Sequence, residues 1–309
     1  MPIAVQKMAH KVGISGESLL FDGQATSMRG LRLANGLMSD DSTDTIIELL
    51  PVYRSYGINS FSVFIQGNRF GDVAGYREDT SIDPRCRARL KRVLEAANEQ
   101  AMMVVVGCLY WGHSRAKWSS WTEDDAACAV GKTAAWIGEQ GFRHVVLDPD
   151  NEGMAFAEAG FNNHVLINAA KAMNPDLLVA INNRRQTAGP ADLCMHHSEP
   201  KAGRPWIESE GSPPGVRYWG PEWGNPQPDE WYQYDHIGEY TQFMREVQIR
   251  HTFSCIDTNQ GYLFASTWLQ AAPPLGPNWE PGGMGTKNDP GIRWWLEAIR
   301  DRYGAYQPL

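Results

Sequence analysis

No CxxC pair occurs in the 309 residues, and the five cysteines (Cys86, Cys108, Cys128, Cys194, Cys255) are scattered and odd in number. This argues against a zinc knuckle and a disulfide framework. No apolar run approaches the ~20 residues that span a bilayer, so a membrane partner is not expected. The opening Met1-Pro2-Ile3-Ala4-Val5-Gln6-Lys7 lacks the apolar core of a signal peptide, which implies a cytoplasmic protein, or a secreted or periplasmic one whose signal was removed. Positive charge is also in short supply. A net charge of −8 argues against nucleic acid as a partner. No GxGxxG or GxxxxGK[ST] follows an apolar run, so dinucleotide and nucleoside triphosphate cofactors are not expected, and no other cofactor is implied. There is no HExxH helix and no GxSxG elbow.

What is present is a repeated alternation. Residues 11–26 read as a hairpin around Asp22-Gly23, a strong turn signal. Short apolar stretches then recur at 28–33, 60–65, 102–108, 145–147, 177–181, 193–196, 206–209 and 262–266. Most are separated by helical patterns, at about 42–56, from 83 through at least 97, and at 123–140, 163–173, 237–250 and 290–303. The gap between the sixth and seventh strands is too short for a helix, so the sixth repeat is abbreviated. Eight short apolar strands in this alternation predict a (β/α)8 TIM barrel, preceded by a short N-terminal β-hairpin. Such a barrel uses ~250 residues as one domain, so residues 1–309 are read as a single barrel with long loops.

In a barrel of this kind, chemistry collects where strands end. The fourth strand ends in Asp148-Pro149-Asp150-Asn151-Glu152-Gly153. Crowded, partly buried carboxylates repel, and at least one pKa rises, as a general acid requires. The plainer reading is a helix start, because Asp and Asn cap helices and Glu suits a first turn. The seventh strand supplies a second carboxylate stretch, Pro205-Trp206-Ile207-Glu208-Ser209-Glu210-Gly211. Strands four and seven lie roughly across a barrel mouth, so Glu152 and Glu210 face one another as a candidate catalytic pair. Glu208 sits deeper, on the same strand face as Glu210 by alternation.

Around this pair the strand ends offer Arg32, Asn35, Trp111, His113, Asn151, Asn182, His196, His197 and Trp268 as candidate binding residues, with Glu208 and the loop residue Trp223. There are 12 Trp, and Trp111, Trp118, Trp121, Trp219, Trp223, Trp231 and Trp279 sit among Gly, Pro, Ser and Asn. Their rings either offer flat apolar faces to a ligand with polar edges, or pack loops onto the body. Polar groups around two carboxylates, rimmed by aromatics, suit a carbohydrate. Two carboxylates flanking a scissile bond are the usual apparatus of glycoside hydrolysis. A rival metal site would draw on Asp192, His196, His197 and Glu199, but adjacent histidines on a strand point to opposite faces, so no metal is expected.

These stretches resemble the retaining glycoside hydrolases of clan A. Asn151-Glu152 looks like the clan's acid/base motif at the fourth strand. Gly203-Arg204-Pro205 leading to Glu210 is similar to its seventh-strand motif, and Phe21-Asp22-Gly23-Gln24 before Met28-Arg29-Gly30 resembles the opening of cellulase- and mannanase-type members. The resemblance implies a barrel that cleaves β-linked oligo- or polysaccharide by double displacement, with Glu152 as acid/base and Glu210 as nucleophile. It also implies sugar stacking on Trp268, sugar-binding histidines at His113 and at His196 or His197, and a bond from Asn151 to the substrate 2-hydroxyl. The Asn-Glu pair lacks the following Pro common in several families. A carbohydrate-binding barrel without turnover and a metal-dependent barrel hydrolase stay open beside this reading. Sugar, linkage and oligomeric state are not specified by the sequence.

Overall fold

The computed structural model describes residues 9–67, 73–111, 117–196, 201–209, 238–270 and 278–307. Of the residues singled out above, His113, His197, Glu199, Glu210 and Trp223 lie outside this set. The chain opens with β1 (Val12–Ser15), β2 (Ser18–Phe21) and β3 (Gln24–Thr26), an antiparallel sheet of three strands where a hairpin was expected. Asp22 and Gly23 between β2 and β3 both take positive φ, 51° and 84°, as a tight two-residue turn requires.

Eight parallel strands then close a barrel: β4 (Arg29–Arg32), β5 (Ser60–Phe64), β6 (Met103–Leu109), β7 (Val145–Asp150), β8 (Leu178–Ile181), β9 (Leu193–Met195), β10 (Trp206–Glu208) and β11 (Gly261–Phe264). The last strand pairs back to the first, Leu263 opposite Gly30. The predicted (β/α)8 architecture is therefore present. The order follows from the sequence pattern, since each run is apolar on both faces and must be covered on both.

The helices begin where the polar residues allow. Ser39 caps α1 (Asp40–Ser55) by accepting from the Ser42 amide, so this helix starts before the expected Ser42. Asp83 caps α2 (Pro84–Glu99), and Thr122 with Asp125 forms a capping box on α3 (Glu123–Glu139). Beyond β7 come α4 (Met154–Ala159) and α5 (Asn163–Met173), and later α6 (Gln242–Asp257), the short α7 (Thr267–Gln270) and α8 (Arg293–Tyr303).

Two departures concern the connections. The fifth crossover, residues 182–192, has no helix, so the abbreviation extends to a second repeat. Asn182, Asn183, Arg184, Arg185 and Gln186 lead into Gly189-Pro190 with no apolar stripe for a helix to bury. The stretch before the last helix contains a hairpin, β12 (Gly282–Thr286) and β13 (Asp289–Gly291), where a plain loop was expected. As a result α8 starts at Arg293 and not at Pro290.

Strand alternation divides the core in two. Met103, Val105, Val146, Ala180, Leu193, Met195, Ile207 and Leu263 fill the lumen. Val104, Val106, Val145, Leu147, Val179, Ile181, Tyr262 and Phe264 face the helices. Each fully buried aliphatic side chain stabilises the fold by about 1.5–3 kcal/mol relative to exposure, so the register of every strand is held from both sides. That register fixes what points into the lumen at the mouth.

Candidate active site

On three strands the inward-facing positions turn polar toward the mouth. Gly30 is followed by Arg32, Val146 by Asp148 and Ala180 by Asn182, and all three polar side chains are buried. On β6 the corresponding position is Gly107, where a Cβ would overlap the Phe64 ring. Its absence lets Phe64 lie inward. The Arg32 guanidinium carbon sits 5.0 Å from the Phe64 ring centroid and 5.7 Å from that of Tyr110.

Arg32 is the hub of the mouth. Its Nη2 donates to Asn151 Oδ1 at 2.8 Å, Nη1 to the Ser209 carbonyl at 3.1 Å, and Nε to Gln270 Oε1 at 3.2 Å. One planar cation thus ties the ends of β4, β7, β10 and β11 together, a role the fixed fork of guanidinium suits and ammonium does not. Asn35 joins the same hub by donating to the Gln270 carbonyl. Asn151 passes the order on, its Nδ2 donating to Glu152 Oε1 at 3.0 Å. Glu152 is half-buried and adopts φ 57°, a left-handed conformation that is costly for a residue with a Cβ. Gly153 follows at φ 64°, and a Cβ there would strike the Asn183 side chain. The chain turns sharply off the strand and aims Glu152 where a regular helix start would not.

The other two carboxylates of this stretch have different surroundings. Asp150 accepts from the amides of Ala155 (2.8 Å) and Phe156 (3.1 Å) and from Asn163 Nδ2 (2.8 Å). It anchors α4, so the plainer helix-start reading applies to this residue. Burial pushes its carboxyl up to about 7, against those donors. Asp148 accepts from Asn182 Nδ2 at 3.1 Å, and its Oδ1 meets no hydrogen-bond partner among the described residues. Burial pushes Asp148 up to about 6, opposed by Asn182 and the Arg32 charge. Asp148 and Gln270 are strand-end groups to which the sequence assigned no site role. Alternation from Val146 was the signal that places Asp148 inward.

The structure links Arg32 to Asn151 and Glu152, links Arg32 and Asn35 through Gln270, and bonds Asn182 to Asp148 nearby. It does not bring His196, Glu208 or Trp111 there. Ile207 points into the lumen, so Glu208 points outward, level with Tyr262. There it pairs with His196 Nδ1 at 2.5 Å, and its charge acts on His251 and Cys255 of α6. This buried pair lies in the wall between β9, β10 and α6, where cleft residues had been expected. Trp111 is buried, its ring 5.1 Å from Phe161 and 6.0 Å from Trp121. Trp118 and Trp121 donate their indole N–H groups to the carbonyls of Tyr76 and Glu78. These tryptophans pack loops onto the body. Trp268 is half-buried and donates to the Glu280 carbonyl at 3.1 Å.

Among the described residues no three His, Cys, Asp or Glu side chains cluster as metal ligands. Asp192, one of the rival metal candidates, is ion-paired with Lys171. Two surface cavities of about 290 and 450 Å³ lie at the opposite end of the barrel, sharing Lys11, Val12, Asp176 and Leu178, and are seams between the N-terminal sheet and the barrel.

No known sequence family matches the chain, and no curated protein matches it in sequence. Solved structures match its fold. A β-glucanase from Saccharophagus degradans shares 12% identity at a TM-score of 0.60, over 96% of this chain and 94% of that one. A β-mannanase from the blue mussel Mytilus edulis shares 11% at 0.54, over 97% and 99%. The catalytic domain of the major endoglucanase from Xanthomonas campestris pv. campestris shares 13% at 0.55, over 95% and 99%. At such identities the likeness establishes the barrel architecture.

Proposed function

We propose that this chain is a retaining glycoside hydrolase acting on β-linked oligo- or polysaccharide, with Glu152 as acid/base and Glu210 as nucleophile. The observation that carries the reading is the Arg32 guanidinium, which holds Asn151 beside Glu152 and the carbonyl of Ser209, the residue before Glu210. Arg32 therefore fixes Asn151 beside Glu152 and the end of β10 from which the proposed nucleophile follows in the chain, and reacting groups need such fixed supports. The enzymes of the same fold are named for glucan, mannan and cellulose, which supports a polysaccharide substrate.

In the first step Glu152 gives its proton to the glycosidic oxygen as Glu210 attacks the anomeric carbon. In the second, Glu152 takes a proton from water, which displaces Glu210. Asn151 is within reach of both Arg32 and Glu152, and in this scheme it also bonds the substrate 2-hydroxyl.

The test is sugar release from a panel of β-linked polysaccharides and aryl glycosides. Wild type cleaves at least one substrate, and Glu152→Gln and Glu210→Gln each lose most of that activity. The first product keeps the anomeric configuration of the substrate by NMR, consistent with carboxyl groups ~5–5.5 Å apart and not ~6.5–9.5 Å. Sugar binding without cleavage would make the chain a carbohydrate-binding barrel instead.

A further inference from the structure

Trp268 differs from the tryptophans that pack loops onto the body. Trp111 and Trp121 lie against other rings. Trp268 is half-buried, and its indole meets no other aromatic ring among the described residues. It sits on α7, two residues before Gln270, whose side chain and carbonyl accept from Arg32 and Asn35. One short helix thus carries both the ring and a partner of the Arg32 hub.

The polar groups of Trp268 are all engaged. Its indole N–H donates to the Glu280 carbonyl at 3.1 Å, its amide donates to Ser266 Oγ at 3.1 Å, and its carbonyl accepts from the Asn278 amide at 2.8 Å. What the residue still offers is the apolar face of its ring. Against the six-membered ring lies backbone without side chains. A methyl on Gly238 would overlap Cε3 and Cζ3, and one on Gly282 of β12 would stand 2.8 Å from Cζ2. Both would also press on Gly291 of β13, at 2.7 Å from its N and 2.9 Å from its Cα. Gly291 pairs with Gly282 and donates to the Gly238 carbonyl at 2.8 Å, so the three glycines form one patch. Backbone angles alone do not call for glycine at 238 and 282. Their φ values are 75° and 61°, while Asp22 and Asn259 hold 51° and 65° in the same chain. Close approach to the indole does call for it.

We infer that Gly238, Gly282 and Gly291 are positioning residues for substrate: they seat the Trp268 indole at the height where its exposed side stacks on a sugar ring. The seat rests on the hydrolase reading and adds the β12–β13 hairpin to the cleft. A ring lifted by one methyl group keeps its chemistry but loses its distance to a sugar whose reacting bond is held at Glu152.

The test uses the full chain labelled with fluorotryptophan, the Trp268 fluorine signal being assigned with Trp268→Phe. Cellotetraose and mannotetraose are titrated into Glu152→Gln, where the hydrolase reading expects no turnover, and the Trp268 signal moves with one of them. In the otherwise wild-type chain, Gly282→Ala displaces that signal before sugar is added. It raises KM for the sugar roughly tenfold and leaves kcat within about twofold. Gly283→Ala is the control, because its methyl would meet Asp289 of the same hairpin and not the ring. It leaves the Trp268 signal and KM in place, whatever it does to the melting temperature. A Trp268 signal that moves with neither sugar overturns the inference, as does a wild-type KM in Gly282→Ala or an equal rise in Gly283→Ala. If wild type cleaves neither sugar while the signal still moves and Gly282→Ala binds roughly tenfold more weakly, the hydrolase reading fails and the seat stands. If Gly282→Ala does not fold, Gly238→Ala takes its place, and the sugar titration of the Trp268 signal decides without either.

Discussion

At the mouth of the barrel, Arg32, Asp148 and Asn182 share one buried layer of the lumen; at the floor, Val12, Leu19, Phe21 and Met28 close it with apolar side chains. The same eight strands supply both ends. One titratable group is buried at the floor too: His144, at the start of β7, is fully covered, and neither ring nitrogen meets a partner in hydrogen-bonding geometry among the described residues. The mouth polar groups are bound to one another, whereas the floor histidine is packed edge-on to Phe142 at 5.8 Å, with the Leu94 backbone as its polar neighbour. Buried charge is tolerated where a network answers it, and buried neutrality where none does.

The largest test of this contrast is Arg32→Met. It leaves Asn151, the Ser209 carbonyl and Gln270 without their donor and Asp148 without its cation. Breaking a buried charged network from one side costs about 3–5 kcal/mol. Urea denaturation registers that loss, and kcat/KM on the substrate found above falls roughly 10²–10³-fold, the usual scale for removing one fixed electrostatic support. Wild-type stability in this variant would mean that the mouth is held by packing, like the floor.

Asp150→Ala ranks next. Two α4 amides and the Asn163 side chain lose their acceptor, and buried donors left open cost about 1–3 kcal/mol each before relaxation. We expect a net loss of about 2–4 kcal/mol by chemical denaturation. Asp148→Asn, two positions away, is expected to hold its stability, since burial already opposes its charge. Equal losses in the two variants would erase the distinction between the anchoring carboxylate and the one with an open oxygen.

How far the sequence reaches can be judged at these same residues. The unbroken apolar run 145–147 made β7 legible, because a buried parallel strand needs apolar side chains on both faces. Asn174-Pro175 stopped α5 where the helix ends, since the residue before proline avoids helical angles. The direction of Glu208 was less accessible. Alternation sets it opposite Ile207, but only the lumen position of Ile207 shows that Glu208 faces outward. The hub role of Arg32 was hidden for a deeper reason. It joins positions 32, 151, 209 and 270, contacts that no local pattern encodes. The absence of a helix in the fifth crossover was legible in principle from the polar run after Asn182. The β12–β13 hairpin turns on Lys287-Asn288, a signal weaker than the Asp-Gly of the first hairpin.

Acid separates the two ends by sign. Burial raises Asp148 from 3.8 to about 6, so the folded state holds its proton more tightly than the unfolded state. That contribution is fully present below about pH 3.8 and is lost as pH rises through about 6. Burial lowers His144 from 6.5 to about 4, the reverse case. Its contribution is fully present above about pH 6.5 and is lost as pH falls through about 4. His144→Leu removes the floor effect and spares the mouth. Urea midpoints compared at pH 7.5 and pH 5 should show the wild type losing about 2 kcal/mol more than the variant on acidification. Parallel losses would assign the acid sensitivity elsewhere.

The smallest expected effect decides whether that loss belongs to His144 or to its neighbour. His10 Nδ1 lies 2.6 Å from Asp22 Oδ2 at the same end of the barrel, and its ring stacks on Phe21 at 5.5 Å. The Asp22 side chain is 43% exposed, so solvent and salt screen the pair. An exposed ion pair of this kind contributes about 0–1 kcal/mol. His10→Gln should therefore lower stability by less than about 1 kcal/mol, by an amount that shrinks in 1 M salt. The acid dependence of the variant should match wild type, because the buried His144 remains. If His10→Gln instead abolishes the acid loss, the exposed pair and not the buried ring is the latch of the N-terminal sheet, and the floor would depend on charge as the mouth does.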